Sequence, residues 1–175
     1  MSLIENKQQR GFTIVELLIV IVVIAILAAI SIVAYNGIQN RANDTTVQSD
    51  LATMAKKFRI YQIDKGNYPL TSADLSDVGA NVSKGSYLIS PATTYNVMPC
   101  ITSGGADFSI AASSKSGNRY FIGSKTGSVQ QFTGATNWTD TSAYITMCSD
   151  TLAGSSIPTG GGAPGYGNSW RSWLD

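Results

Sequence analysis

The sequence contains no histidine, and that absence excludes several kinds of active site. A serine or cysteine nucleophile has no histidine to activate it, and no metal ion can be held by imidazole. A pair of carboxylates could still act in catalysis, but no motif in the sequence points to one. We therefore predict no catalytic residue and expect no cofactor.

An excess of one charge sign is also lacking, because 12 Lys and Arg stand against 11 Asp and Glu. Without an excess of positive charge, the composition does not indicate a nucleic-acid-binding surface, and nucleic acid is not predicted as a direct partner. Asp74, Asp77, Asp140 and Asp150 raise the question of calcium, which prefers oxygen ligands. Their spacing is unlike that of an EF-hand, so we interpret them as solvated turn residues and predict no metal site.

Cysteine is scarce, with Cys100 and Cys148 alone in the chain. In a chain whose N-terminus is of an export type, two cysteines favour one disulfide. Such a bond would close a loop spanning 48 positions, which is worth roughly 4 kcal/mol in the chain-entropy account. Two buried free thiols are the alternative.

Charge is nearly absent from residues 12–35, where Glu16 is the single ionisable acid or base before Tyr35. As a helix, this stretch is long enough to cross the hydrocarbon core of a membrane. Lys7 and Arg10 before it predict a cytoplasmic N-terminus, with the later residues outside. The apolar run is longer than that of a secretory signal, and a plain signal anchor remains the alternative.

Glu16 needs a separate explanation, because a carboxylate inside a membrane usually has a partner. Thr13-x-x-Glu16 fits a capping box at the start of a helix, where an anion is favoured. A cut before Phe12 would create a second partner, since the new α-amine is a cation. In a filament, the amine of one subunit would then pair with Glu16 of its neighbour.

The run from Gly11 to Val20 resembles the class III signal of type IV prepilins and pseudopilins. That signal joins a short basic leader, a glycine, a phenylalanine, a glutamate four positions later and an apolar helix. The resemblance implies that a prepilin peptidase cuts between Gly11 and Phe12 and methylates the Phe12 amine. It also implies that Glu16 serves filament assembly and register. The chain would be the substrate of that peptidase and not an enzyme.

The helical pattern continues beyond the apolar run. An apolar stripe with spacings of 4, 3, 4 and 3 is predicted to pack on the globular part of the chain; it consists of Val47, Leu51, Met54, Phe58 and Tyr61. Gly66 and Pro69 predict that the helix ends near residue 65. The segment from Tyr61 to Pro69 also resembles the helix end of the pilin family. The apolar run lacks the helix breaker of many pilins, and Gly37 is the one intrinsic weak point nearby.

Residues 66–175 are predicted to form a globular head rich in short strands and turns. The candidate strands are Tyr87–Ile89, Tyr95–Ile101, Phe108–Ala112, Tyr120–Gly123 and Val129–Phe132. The fold class is α+β: a long N-terminal helix, 12–65, packed against an antiparallel sheet. A leader is expected over 1–11, and a flexible Gly/Pro-rich tail over 154–168. The tryptophans at 170 and 173 are expected either to fold back onto the head or to contact another molecule.

Three functions remain open on these grounds. The first is a structural subunit that polymerises into a type IV pilus for adhesion, motility or DNA uptake. The resemblance then implies an assembly ATPase and a platform membrane protein as partners. The subunit would first be a single-pass protein of the cytoplasmic membrane with an extracytoplasmic head, and later part of a surface pilus. The alternatives are a type II secretion pseudopilin and a membrane-anchored binding protein that does not polymerise.

Overall fold

The computed structural model describes residues 11–88, 96–134 and 143–153, together with the backbone of three two-residue strands further on. The chain forms two compact units, Met1–Ile38 and Gln39–Asp175, and each is described here by itself. The expected leader lies outside the described residues except for Gly11. The predicted boundaries at 11 and 65 stay predictions.

The described part of the chain is made of helices followed by short strands. The helices are α1 (Ile14–Lys65), α2 (Ser72–Val78) and α3 (Ala143–Thr151), with a 3₁₀ turn at Lys84–Ser86. The strands are β1 (Val97–Thr102), β2 (Phe108–Ser113), β3 (Arg119–Gly123), β4 (Gln130–Gln131), β5 (Ser155–Ser156), β6 (Gly165–Tyr166) and β7 (Ser169–Trp170).

In the first unit, α1 is apolar on every side. Its large side chains between Ile14 and Val33 are 48% to 83% exposed. The most apolar window of 18 residues has a mean hydropathy of 3.4, so α1 is long and apolar enough to cross a membrane. Gly37 is helical and has open space where a Cβ would stand.

In the second unit, α1 carries the predicted apolar stripe. Its fully buried members are Val47, Leu51, Met54 and Phe58, joined by Ala55. Tyr61 is only half-buried, and its hydroxyl donates to Asp74 Oδ1 at 2.8 Å. The helix ends at Lys65: Gly66 adopts a φ of 85° and donates its N–H to the Gln62 carbonyl at 2.8 Å.

The sheet is antiparallel and has the strand order β4-β3-β2-β1-β5. Cys100 of β1 lies opposite Ser109, and Ala111 of β2 lies opposite Phe121. The predicted α+β class is therefore confirmed. The expected strand at Tyr87 is reduced to an isolated bridge with Ser114; Ile89 and Tyr95 lie outside the described residues.

Two separate apolar clusters cover the two faces of the sheet, since successive side chains of a strand point to opposite faces. Phe108, Ile110 and Ala112 of β2 join the cluster that includes the buried stripe of α1. Ala111 points the other way, into a smaller cluster with Met98, Cys100, Met147 and Cys148. The sheet is thus a middle layer between α1 and α3.

Two helices of the head were not predicted. Thr71 caps α2 by accepting the Asp74 N–H at 3.2 Å, while the Asp74 carboxylate accepts the Thr71 N–H at 2.8 Å. This reciprocal pair is a capping box. The other unpredicted helix, α3, carries Cys148, and the described part of the tail forms β5 and the ribbon of β6 with β7. The rest of the tail and Trp173 lie outside the described residues.

Candidate assembly site at the start of α1

The first turn of α1 is built around a contact between Thr13 and Glu16. Glu16 Oε2 accepts hydrogen bonds from the Thr13 backbone N–H and hydroxyl, both at 2.8 Å. In return, the Glu16 N–H donates to Thr13 Oγ1 at 3.2 Å. The predicted capping box is therefore present, and it satisfies helix-start N–H groups that have no carbonyl partner within the helix.

Glu16 keeps acceptor capacity beyond this turn. Both bonds from Thr13 end on Oε2, and within the described residues Thr13 is the sole donor to the carboxylate. A carboxylate offers about four acceptor positions on its two oxygens. Oε1 therefore remains able to accept from a cation that the first turn does not supply.

Gly11 and Phe12 precede this turn and are accessible. Both lie before the first helical residue, Ile14, and the Phe12 side chain is 89% exposed. An enzyme that cuts a peptide bond needs a reachable backbone outside regular structure, and residues 11–12 are exposed and precede the helix. The predicted cleavage residues thus lie four and five positions before Glu16 in the sequence, outside the helix.

A comparison with protein families identifies this segment. The family described as "Prokaryotic N-terminal methylation motif" matches residues 6–32, which include the junction, the capping box and the first part of α1 as far as residue 32. The start of the chain therefore has a prepilin-type motif, similar to that of the type IV pilin and pseudopilin family.

Similar curated proteins come from both branches of that family. The "Type IV wide pilus major component PilA4" of Thermus thermophilus is 44% identical over 73 residues, which are 42% of this chain and 56% of that protein. The "Type II secretion system core protein G" of Dickeya chrysanthemi is 32% identical over 79 residues, 45% of this chain and 50% of that protein. The core protein G of Escherichia coli K12 is 30% identical over 73 residues. The match thus spans about half the length of these relatives.

The head contains the predicted disulfide. Cys100 of β1 and Cys148 of α3 are bonded, with their Cα atoms 5.3 Å apart. Both cysteines are buried in the cluster between the sheet and α3. The sequence indicated the bond but not the helix on which Cys148 lies.

Two aspartates of α1, Asp44 and Asp50, hold the helix to loops of the head through hydrogen bonds. The sequence did not predict this role. Asp50 accepts from the Ser83 N–H at 2.7 Å and from the Tyr87 hydroxyl at 3.1 Å. Asp44 accepts from the Ser116 hydroxyl and from Asn118 Nδ2. Each bond ties α1 to a loop of the head, and no spacing rule in the sequence announces such long-range pairs.

Asp74, considered above for calcium, is a structural anchor as well. Burial would raise its pKa, but hydrogen bonds from Tyr61, Thr71 and Leu70 outweigh burial and lower the pKa below its ordinary value. Burial and this carboxylate in turn raise the pKa of Tyr61 to about 12. Among the described residues no group of three or more Asp, Glu or Cys is arranged to hold a metal ion.

Proposed function

We propose that the chain is a structural subunit that polymerises into a type IV pilus after removal of a leader at Gly11–Phe12. One observation carries the proposal: an apolar helix begins with a capped glutamate four residues after an accessible Gly–Phe junction that lies in a prepilin motif. The similarity to a wide-pilus major component supports a pilus over other filaments.

The proposed role of Glu16 is to set the position of each subunit. Cleavage turns Phe12 into a charged N-terminus, and methylation keeps its amine basic. Glu16 has an acceptor oxygen that the first turn does not use. A neighbouring amine placed on that oxygen forms a charge-assisted hydrogen bond, and in apolar surroundings a subunit with either charge unpaired is strongly disfavoured. Only one stagger of the helices satisfies both charges.

The proposed partners and locations follow from this role. A prepilin peptidase cleaves and methylates the chain, and an assembly ATPase with a platform membrane protein adds subunits to a helical filament of identical copies. Before assembly, residues 12–35 span the cytoplasmic membrane and the head lies outside it; afterwards the subunit belongs to a surface pilus. In this scheme the chain itself catalyses nothing and binds no cofactor.

A second candidate is the major pseudopilin of a type II secretion system. The core protein G relatives favour it, because they match the chain over a similar length to the pilus component. The same junction, helix and glutamate would then build a short periplasmic fibre. A membrane-anchored protein that never polymerises is the third candidate, and nothing in the comparisons favours it.

Shearing intact cells separates these candidates. We expect long fibres in the supernatant whose subunit has an intact mass that begins at methylated Phe12. Fibre subunits that retain residues 1–11 would contradict the cleavage proposal. Absence of surface fibres, with the processed chain found only in a periplasmic secretion complex, would move the assignment to the pseudopilin.

A further inference from the structure

A groove lies between the last turns of α1 and the short helix α2, within the second unit. Its volume is about 140 Å³, which is well below the roughly 300–1,000 Å³ of pockets that hold a whole small molecule. The groove is therefore of a size to receive single side chains of another segment. It is lined by Lys57, Ile60, Tyr61, Asp64, Asp77 and Val78.

Two carboxylates of this groove are available to a cation. Asp64 of α1 and Asp77 of α2 are exposed, and among the described residues neither accepts a hydrogen bond nor joins an ion pair. The one cation of the lining, Lys57, directs its ammonium to the Gly79 carbonyl. The groove thus carries two negative charges against one positive charge that already has an acceptor, and it attracts cations.

An arginine side chain complements this groove better than a metal ion does. In the part of the chain that the structure describes, no group of three or more Asp, Glu or Cys is arranged to hold a metal. Ile60 and Val78 line the groove with apolar surface, and Ile60 is 59% exposed. A guanidinium can bind carboxylates with its fork of N–H groups while its aliphatic stem covers the isoleucine.

The chain itself contains a segment with this chemistry. After the expected leader it has four arginines, and Arg59 and Arg119 already donate to backbone carbonyls of the head at 3.3 and 3.0 Å. Arg41 stands beside a polar asparagine, whereas Arg171 belongs to the run Trp170-Arg171-Ser172-Trp173-Leu174. Tryptophan and arginine are the residues that contribute most often to binding energy at protein interfaces. This run therefore combines the cation and the apolar groups that the groove requires.

We infer that the groove binds the C-terminal segment 171–174 of a second copy of this chain, an inference that rests on the proposed polymerisation. Arg171 pairs with the carboxylates of Asp64 and Asp77, and the indole of Trp173 covers the exposed isoleucines at the end of α1. The opposite charges of the two surfaces favour the encounter and fix its register.

The position of the groove favours a second copy over the chain's own tail. Within one chain, strand β6 of the tail contacts β1 of the sheet. Phe58 of α1 packs on the ring of Phe108 in that sheet, at a centroid distance of 5.3 Å. Ile60 and Asp64 lie about 200° and 240° around the helix from Phe58. They project from the side of α1 that is turned away from the sheet, and a second copy reaches that side directly.

An exchange of charges tests the pair. We expect Asp77→Arg and Arg171→Asp each to give at least about fivefold less sheared fibre protein than the wild type, because like charges then face each other. Both substitutions in one chain restore the attraction and should recover most of the loss. Lys115→Asp, at an exposed position outside the groove, is the control and should keep the wild-type yield. Wild-type yield from both single variants, or losses that add in the double variant, would overturn the inference.

Crosslinking identifies the copy that supplies the tail. A full-length chain with a photoreactive residue at position 173 is co-expressed with an excess of a probe-free chain that carries Ile63→Val as a mass tag. The sheared fibres are irradiated and digested with trypsin, which cuts after Arg59, Lys65 and Lys84 and so places residues 60–84 in two peptides. We expect the main crosslink on peptide 60–65 with the tagged mass.

The other outcomes of this experiment are distinct. A crosslink to the untagged peptide 60–65 alone would mean that each tail binds its own head, and a crosslink mainly to another peptide, another protein or lipid would mean that the groove is not the site. Either result would overturn the inference and leave the proposed polymerisation standing. A wild-type chain that forms no fibres would overturn the proposed function as well.

Discussion

The hydroxyl of Tyr87 lies 3.1 Å from Oδ2 of Asp50 and joins the loop after α2 to the middle of α1. The Tyr87 side chain is fully buried, and the same carboxylate also accepts the Ser83 N–H. Burial, followed by the Asp50 carboxylate, raises the pKa of Tyr87 above its ordinary value, so the phenol remains a donor at physiological pH. The contact ties two parts of the head that are 37 residues apart.

Removing this donor should destabilise the head. A hydrogen bond to a charged acceptor contributes about 1.5–3 kcal/mol, and we expect Tyr87→Phe to lower the free energy of unfolding by that amount. The measurement is urea denaturation of the full chain in detergent. Tyr68→Phe is the matched control, because Tyr68 is also buried but no described residue hydrogen-bonds to its hydroxyl. Equal effects of the two substitutions would contradict the importance of the Asp50 contact.

Acid should weaken the head through Asp74. Hydrogen bonds lower its folded-state pKa below the ordinary 3.8 despite partial burial. A lowered pKa gives stability that is present above the unfolded value and is lost as the pH falls through the folded value. We therefore expect the melting temperature of the head to hold above about pH 5 and to fall below about pH 4.

The variant Asp74→Asn isolates this contribution. It keeps the size of the side chain but removes the titrating group and the acceptance at one oxygen, so its melting temperature should fall less between pH 5 and pH 3. It should also lose about 1 kcal/mol at pH 7, because the α2 capping box is weakened. An Asp74→Asn curve parallel to that of the wild type would show that the acid response comes from other carboxylates.

Helix α2, which carries this cap, was not predicted from the sequence. Thr71 and Asp74 stand three residues apart, as a capping box requires, yet α2 has only seven residues and one buried side chain, Leu75. A helix so short gives no periodic apolar pattern. By contrast, α1 was predictable over most of its length, because its stripe repeats several times and Gly66 marks its end.

The strands show the same contrast between local and long-range information. β2 and β3 were predicted within a residue or two, since turn sequences bound them. The aspartate anchors of α1 join residues that are 33 to 74 positions apart. Such pairs form only when distant parts of the chain pack together, and no local sequence pattern predicts them. The Thr13–Glu16 cap was predictable because both partners lie in one turn.

Loss of the disulfide should loosen α3 before the rest of the head. Cys100 and Cys148 belong to the small cluster under α3, which shares no residue with the cluster that holds α1. For the double variant Cys100→Ser with Cys148→Ser, we expect a loss of about 2–5 kcal/mol in unfolding free energy. Amide hydrogens of α3 should exchange faster, while those around Leu51 and Phe58 keep their relative protection.

Chemical reduction provides the control for this prediction. A reductant should lower the unfolding midpoint of the wild-type chain toward that of the double variant and leave the variant itself unchanged. Faster exchange that is uniform over α1, the sheet and α3 would contradict the separation of the two clusters. In that case the bond would stabilise the head as one cooperative unit.

The last prediction concerns Glu16. In Glu16→Ala the carboxylate that we propose to pair with the Phe12 amine of a neighbour is gone, while the apolar run, which is long enough to cross a membrane, is intact. We expect normal membrane levels of the processed chain and a large loss of sheared fibre. Glu16→Gln is the matched variant, since its side-chain oxygen can still accept from Thr13 but carries no charge. If assembly depends on the helix cap, Glu16→Gln should assemble like the wild type. If it depends on the charge pair, Glu16→Gln should lose fibres as Glu16→Ala does. Normal fibre yield from Glu16→Ala would contradict the charge pair altogether.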